Sequence, residues 1–143
     1  MKKIFPAILL IATPTSFSDD LEYSDVYKAD TGRIGNNSVR FIVTGRSPCI
    51  WVQNLVRGMP GKISLESQLC SLNGNSFMTD YAYVGIKKGY FHNDKLYMEI
   101  STITKELVSE ALTCEVLFNA GAAQSLECRN SDQTQTQTQT QTQ

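Results

Sequence analysis

The sequence predicts an all-β fold: an Ig-like β-sandwich of about seven strands with an extra C-terminal hairpin stapled by a disulfide. A small up-and-down β-barrel is the alternative. Three observations lead there. Apolar and polar residues alternate with a period of two along much of the chain after Asn37. Glycine, proline and asparagine interrupt that alternation at short intervals, as hairpin connections require. Four cysteines flank two of those interruptions symmetrically.

The elements follow in order. Residues 1–18 read as a secretory signal peptide, with Lys2 and Lys3 at the start, an apolar stretch from Ile4 to Ala12, and Ser16-Phe17-Ser18 as a small-x-small cleavage site. The apolar stretch falls far short of the ~20 residues a membrane span needs, and Pro6 interrupts it. No later stretch has the length and apolarity of a span. Residues 19–37, opening on the acidic DDLEYSD, read as a flexible segment ahead of a β domain at 38–129. In that domain SVRFIVT (38–44) alternates around Val39, Phe41 and Val43. CIWVQNLV (49–56) and KISLESQL (62–69) flank RGMPGK, where two glycines and a proline force a reversal. Asn73-Gly74 marks a tight hairpin, since both residues tolerate positive φ.

A long strand is expected from about Met78 to Phe91, bent at Gly85 or Gly89. A two-residue turn at Asn93-Asp94 then pairs Phe91 with Leu96, Tyr90 with Tyr97 and Lys88 with Glu99, putting an aromatic pair and an opposite-charge pair directly across the ladder. KELVSEALTCEVLF reads as strand throughout, with a helical turn near 105–111 as the minor alternative. The last residues, 130–143, are mostly a Gln/Thr repeat with no apolar face, expected to be disordered.

Four cysteines in an exported chain are expected to pair, and three connectivities are open. Met59-Pro60 lies midway between Cys49 and Cys70, and Gly121 midway between Cys114 and Cys128, which favours 49–70 and 114–128 as cross-hairpin bridges. In the second hairpin Val116 then faces Leu126 and Phe118 faces Gln124. Trp51, two residues after Cys49, shares its face and is expected to pack in the core against the first bridge.

Charge and chemistry exclude several functions. With Lys2 and Lys3 removed, 11 basic residues against 14 acidic leave −3, no footprint for nucleic acid. His92 is the single histidine and sits in a turn, so neither a triad nor a histidine metal site assembles around it. No C-x-x-C and no phosphate loop occurs. The expectation is a binding protein with no catalytic residues, metal or cofactor: monomeric, periplasmic or secreted, with a protein partner.

From Val39 to Leu112 the order of features resembles the small periplasmic curli assembly family, Ig-like proteins that restrain amyloid formation by curli subunits. The similar stretches are VRFIVTGRSPCIWVQNLVRGMPGKISLESQ and NDKLYMEISTITKELVSEALT, with Cys49, Gly58, Gly61, Ser64 and Gln68 matching in type and approximate spacing. Some members carry Cys-x-Cys, whereas Trp51 stands at the second position here, so no redox role carries over. Cys70 and the whole 114–128 element stand outside the resemblance. It implies a curli subunit as partner, met by the positive set Arg40, Arg46, Arg57 and Lys62 and by edge-strand backbone. Tyr90 and Tyr97, on a face with Lys88 and Glu99, form a second candidate contact patch. A rival reading is an inhibitor of a hydrolase that probes its target with the hairpin tip NAGAA (119–123).

Overall fold

Ten β-strands and one short 3-10 turn, Tyr23–Asp25, make up residues 21–132, the part of the chain that this computed structural model describes. Four strands form the first sheet in the order β1 (Val26–Ile34), β2 (Asn37–Thr44), β3 (Ile50–Leu55) and β4 (Ile63–Leu69). A two-stranded ribbon, β5 (Ser71–Leu72) and β6 (Asn75–Ser76), turns at Asn73-Gly74, both at positive φ. The second sheet comprises β7 (Tyr81–His92), β8 (Lys95–Thr104), β9 (Ser109–Asn119) and β10 (Ala122–Asn130). All pairings are antiparallel, and every neighbour within a sheet is also the neighbour in sequence.

The sheets lie face to face, with β1 beside β7 and β4 beside β10. No ladder joins them, so the barrel does not close and the fold is a sandwich. Each layer is a meander, whereas an Ig domain passes strands between its sheets. The C-terminal hairpin is half of the second layer, with no separate place outside it.

Side chains from both inner faces fill the space between. Val39, Phe41, Val43, Ile50, Val52 and Leu69 meet Ile86, Leu96, Met98, Ile100, Leu112, Cys114, Val116, Ala123 and Leu126, while Leu72 and Phe77 of the ribbon region join the same cluster. Each large aliphatic residue so buried contributes about 1.5–3 kcal/mol. Two glycines let the layers approach: a Cβ at Gly32 would overlap the Phe91 ring, and one at Gly89 would overlap Phe41. The two phenyl rings pack against each other at 6.1 Å.

The disulfides are Cys49–Cys70 and Cys114–Cys128, as turn placement predicts. The β7–β8 register is also the expected one: His92 with Lys95, Phe91 with Leu96, Tyr90 with Tyr97, Lys88 with Glu99.

Several expectations are corrected. Residues 26–34, read as part of a flexible segment, form β1, the eighth strand of the sandwich. Phe118 faces Ala123, because Gln124 is an extra residue in β10, although Val116 does face Leu126. The stretch 105–108 is a turn between β8 and β9, with Leu107 at φ 63, and Met78 to Asp80 precede β7. Trp51 is buried, but Ile50 and Val52 on either side of it face the core, so Trp51 lies on the outer face of its sheet. Asn130 still pairs with Leu112, which starts the tail later than expected. The expected signal peptide at 1–18 and residues 133–143 of the repeat lie outside the described residues.

Register breaks occur between β1 and β2, β3 and β4, β7 and β8 (twice), and β9 and β10. The extra residues are Tyr27, Ser64, Ala82, Lys87 and Gln124. All five belong to β1, β4, β7 or β10, the edge strands.

Candidate binding cleft at the open seam

The seam between β1 and β7 is closed at one end and open at the other. Towards the β7–β8 turn, the Phe91 ring fills the space left by Gly32. Towards the start of β7 the seam widens into a cleft of ≈ 400 Å³ lined by Tyr27, Arg46, Phe77, Met78, Tyr81 and Tyr83, among others.

Local sequence explains each wall. Tyr27 is the extra residue of the β1 bulge and stays 54% exposed. Tyr83 follows the extra residue Ala82 and runs along its own strand, so that a Cβ at Gly85 would overlap its hydroxyl. Glycine at 85 therefore gives the ring its place. Met78, in the turn before β7, is 63% exposed, and Tyr83 50%. Burial holds the Tyr27 phenol above its ordinary pKa, and the neighbouring Tyr83 adds to the shift. Arg46 stands on the β2–β3 loop with its side chain 78% exposed and its Nε paired with the Asp25 carboxylate. The Gly45 amide donates to the Asp25 carbonyl at 2.9 Å, which ties the N-terminal turn to that loop.

Of the six residues expected to bind a partner, only Arg46 lines this cleft. Arg40 lies on the outer face of the first sheet, where its Nε and Nη2 donate to Gln53 Oε1 at 3.0 and 2.6 Å. Arg57 and Lys62 belong to the β3–β4 loop, and both are exposed. Tyr90 and Tyr97 stack at 5.5 Å on the outer face of the second sheet, with the Lys88 ammonium 5.1 Å from the Tyr90 ring. Burial foremost, then the negative charge of Glu99, raises the Tyr90 pKa. The expected positive set is thus dispersed over the outer face of the first sheet and two of its loops, with the tyrosine pair on the other layer.

Compared with known proteins, the chain matches no family model, no curated protein and no solved structure. The site's own geometry must therefore carry the functional reading.

The hairpin tip does not protrude. Ala120-Gly121 form a two-residue turn at positive φ, and Asn54 of β3 donates its Nδ2 to the Gly121 carbonyl at 2.7 Å. His92 is exposed, with Nε2 against Asn93 Nδ2 at 3.1 Å. Among the described residues no group of His, Cys, Asp and Glu converges as a metal centre would require.

Sequence reasoning missed Tyr27, Met78, Tyr81 and Tyr83. The signal was present in YAYVG, two tyrosines on alternate residues before a glycine, and in Tyr27 two residues after Asp25. What the cleft offers is aromatic faces, a thioether and one guanidinium. Such groups combine large apolar contact area with polar tips.

Proposed function

We propose that the protein is an exported binding protein that grips a polypeptide partner in the seam cleft, and that its partner is an amyloid-forming subunit of the curli type. The observation that carries the binding reading is the half-exposed cluster of Tyr27, Met78 and Tyr83 around an open cleft beside Arg46. Tyrosine, methionine and arginine are the residues that enrich protein interfaces, because they combine large contact area with polar tips. The two disulfides fit an oxidising compartment such as the periplasm. The curli-type client comes from the resemblance of residues 39–112.

Capture works through side chains in this reading. Bulges interrupt both strands of the seam, so a client gains little from adding a continuous strand there, and the aromatic walls supply the contact instead. The inhibitor reading loses its probe, since the 119–123 tip is a tight turn held by Asn54.

The test is thioflavin-detected assembly of a purified curli-type subunit with wild-type protein and with Tyr27→Ala/Tyr83→Ala. Delay by wild type that disappears in the double variant supports the proposal. No delay by wild type removes the curli client; equal delay by both proteins removes the cleft.

A further inference from the structure

We propose that the opposite end of the first sheet binds a small organic or inorganic anion through Arg33 and Arg57. This site is independent of the seam cleft and of the function proposed for it. The β1–β2 turn and the β3–β4 loop project side by side there and enclose a cleft of ≈ 520 Å³, within the range of small-molecule sites.

Its charge is one-sided. Arg33 comes from β1 and Arg57 from the loop, both exposed, and no acidic residue lines the cleft. The ion pairs among the described residues are Arg46–Asp25 and Lys95–Glu115, so neither arginine shares its charge with a carboxylate. Asn36, Asn37 and Ser38 add amide and hydroxyl groups along the same wall. Guanidinium forks match the planar oxygens of a carboxylate or phosphate, and a concave site lined by one sign of charge concentrates such anions.

The loop's own backbone hydrogen bonds hold its shape. Met59 N donates to the Val56 carbonyl at 3.3 Å, Lys62 N to Met59 at 3.1 Å and Val56 N to Lys62 at 2.8 Å, forming two successive tight turns. Gly58 and Gly61 supply the positive φ, 74° and 77°, that those turns need. A cradle already folded pays little ordering cost on binding. Two surface arginines are ordinarily no more than a solvated face. Here they line one concavity together with the Asn36 and Asn37 amides, and no counter-charge lines it.

The experiment is amide NMR titration of the full chain with citrate and, separately, with inorganic phosphate at low ionic strength. Saturable shifts confined to Asn36, Asn37, Gly58 and Gly61, with half-saturation below about 1 mM for either probe, are expected. Saturation by citrate alone assigns a carboxylate ligand, and by phosphate alone a phosphate. Arg33→Ala and Arg57→Ala should each weaken binding about tenfold, while Lys95→Ala on the second sheet changes nothing. Shifts that spread over lysines and arginines of the whole surface, an absence of saturation, or arginine variants that bind as wild type would each overturn the site.

Discussion

Gln53 shows how a single side chain fixes the outer face of the first sheet. It has no exposed surface, yet it points away from the core. Its Oε1 accepts from Arg40, and its Nε2 donates to Glu66 Oε2 at 2.6 Å and to the Tyr23 hydroxyl at 3.1 Å. The amide therefore links a cation, an anion and the N-terminal turn, with both of its donors used. Gln53→Leu should destabilise the fold by about 2–3 kcal/mol, because two charged groups lose their shared partner, and Tyr23→Phe by about 1 kcal/mol. Urea midpoints at constant m check both values, and a neutral Gln53→Leu would show the network to be dispensable.

Three groups make the fold sensitive to alkali with one sign. Tyr27 and Tyr90 are raised above 10.0, chiefly by burial, and Lys95 is raised above 10.5, first by its hydrogen bond to Glu115 at 2.9 Å and then by that carboxylate's charge. Each group binds its proton more tightly folded than unfolded. Their contributions are complete below those ordinary values and are lost as pH rises through the raised, folded ones. Denaturant midpoints should therefore hold up to about pH 10 and fall above it. Phenolate absorbance should titrate later in native protein than in urea; coincident curves would contradict the partial desolvation of the Tyr27 and Tyr90 hydroxyls.

At the scale of elements, the two disulfides invite a comparison that loop length alone gets wrong. Cys49–Cys70 closes the longer loop, with a sequence separation of 21 against 14 for Cys114–Cys128. Chain entropy gives each about 3 kcal/mol, slightly more for the longer. Cys114, however, is fully buried in the inter-sheet core with Cys128 packed against it, whereas Cys49, also buried, lies outside that core and Cys70 is half-buried. Replacing 114 and 128 by alanine removes packing as well as the link, so that double variant should have the lower urea midpoint. A lower midpoint for the 49/70 variant would mean that chain restriction dominates.

Elements also show what a reader of the chain can recover. The β7–β8 hairpin was legible because a two-residue Asn-Asp turn fixes its register and its aromatic and charged pairs then agree. β1 was not legible. Its inward position opposite Val39 is Gly32, which holds no side chain because Phe91 occupies the space, so the strand has no fully buried residue and no apolar face. Gln124 was unreadable for a related reason: a bulge changes register without a composition signal. The sandwich class could be read from alternation, but its meander connectivity depends on which faces meet across the core. The candidate cleft fared worst. Three tyrosines from the distant segments 27 and 81–83 converge only once β1 and β7 stand together.

For the whole molecule, two open layers leave four edges, the arrangement most exposed to unwanted association. Each edge carries at least one extra residue, and the interior strands β2, β3, β8 and β9 carry none. Removing Gln124 or Lys87 would restore plain alternation, since Ala123 and Ser125, like Ile86 and Lys88, already pair with consecutive partner residues. Such deletions should keep the native circular dichroism while shifting the chain to larger species than wild type in light scattering. A deletion variant of unchanged size would leave the bulges without that role.

The consequence reaches the company this domain can keep. A chain whose rims refuse to template can reside at high local concentration among sticky, strand-forming neighbours and still come away unchanged. It can touch a growing assembly many times without being consumed by it. Under the function proposed above, that would let a few copies attend to many clients.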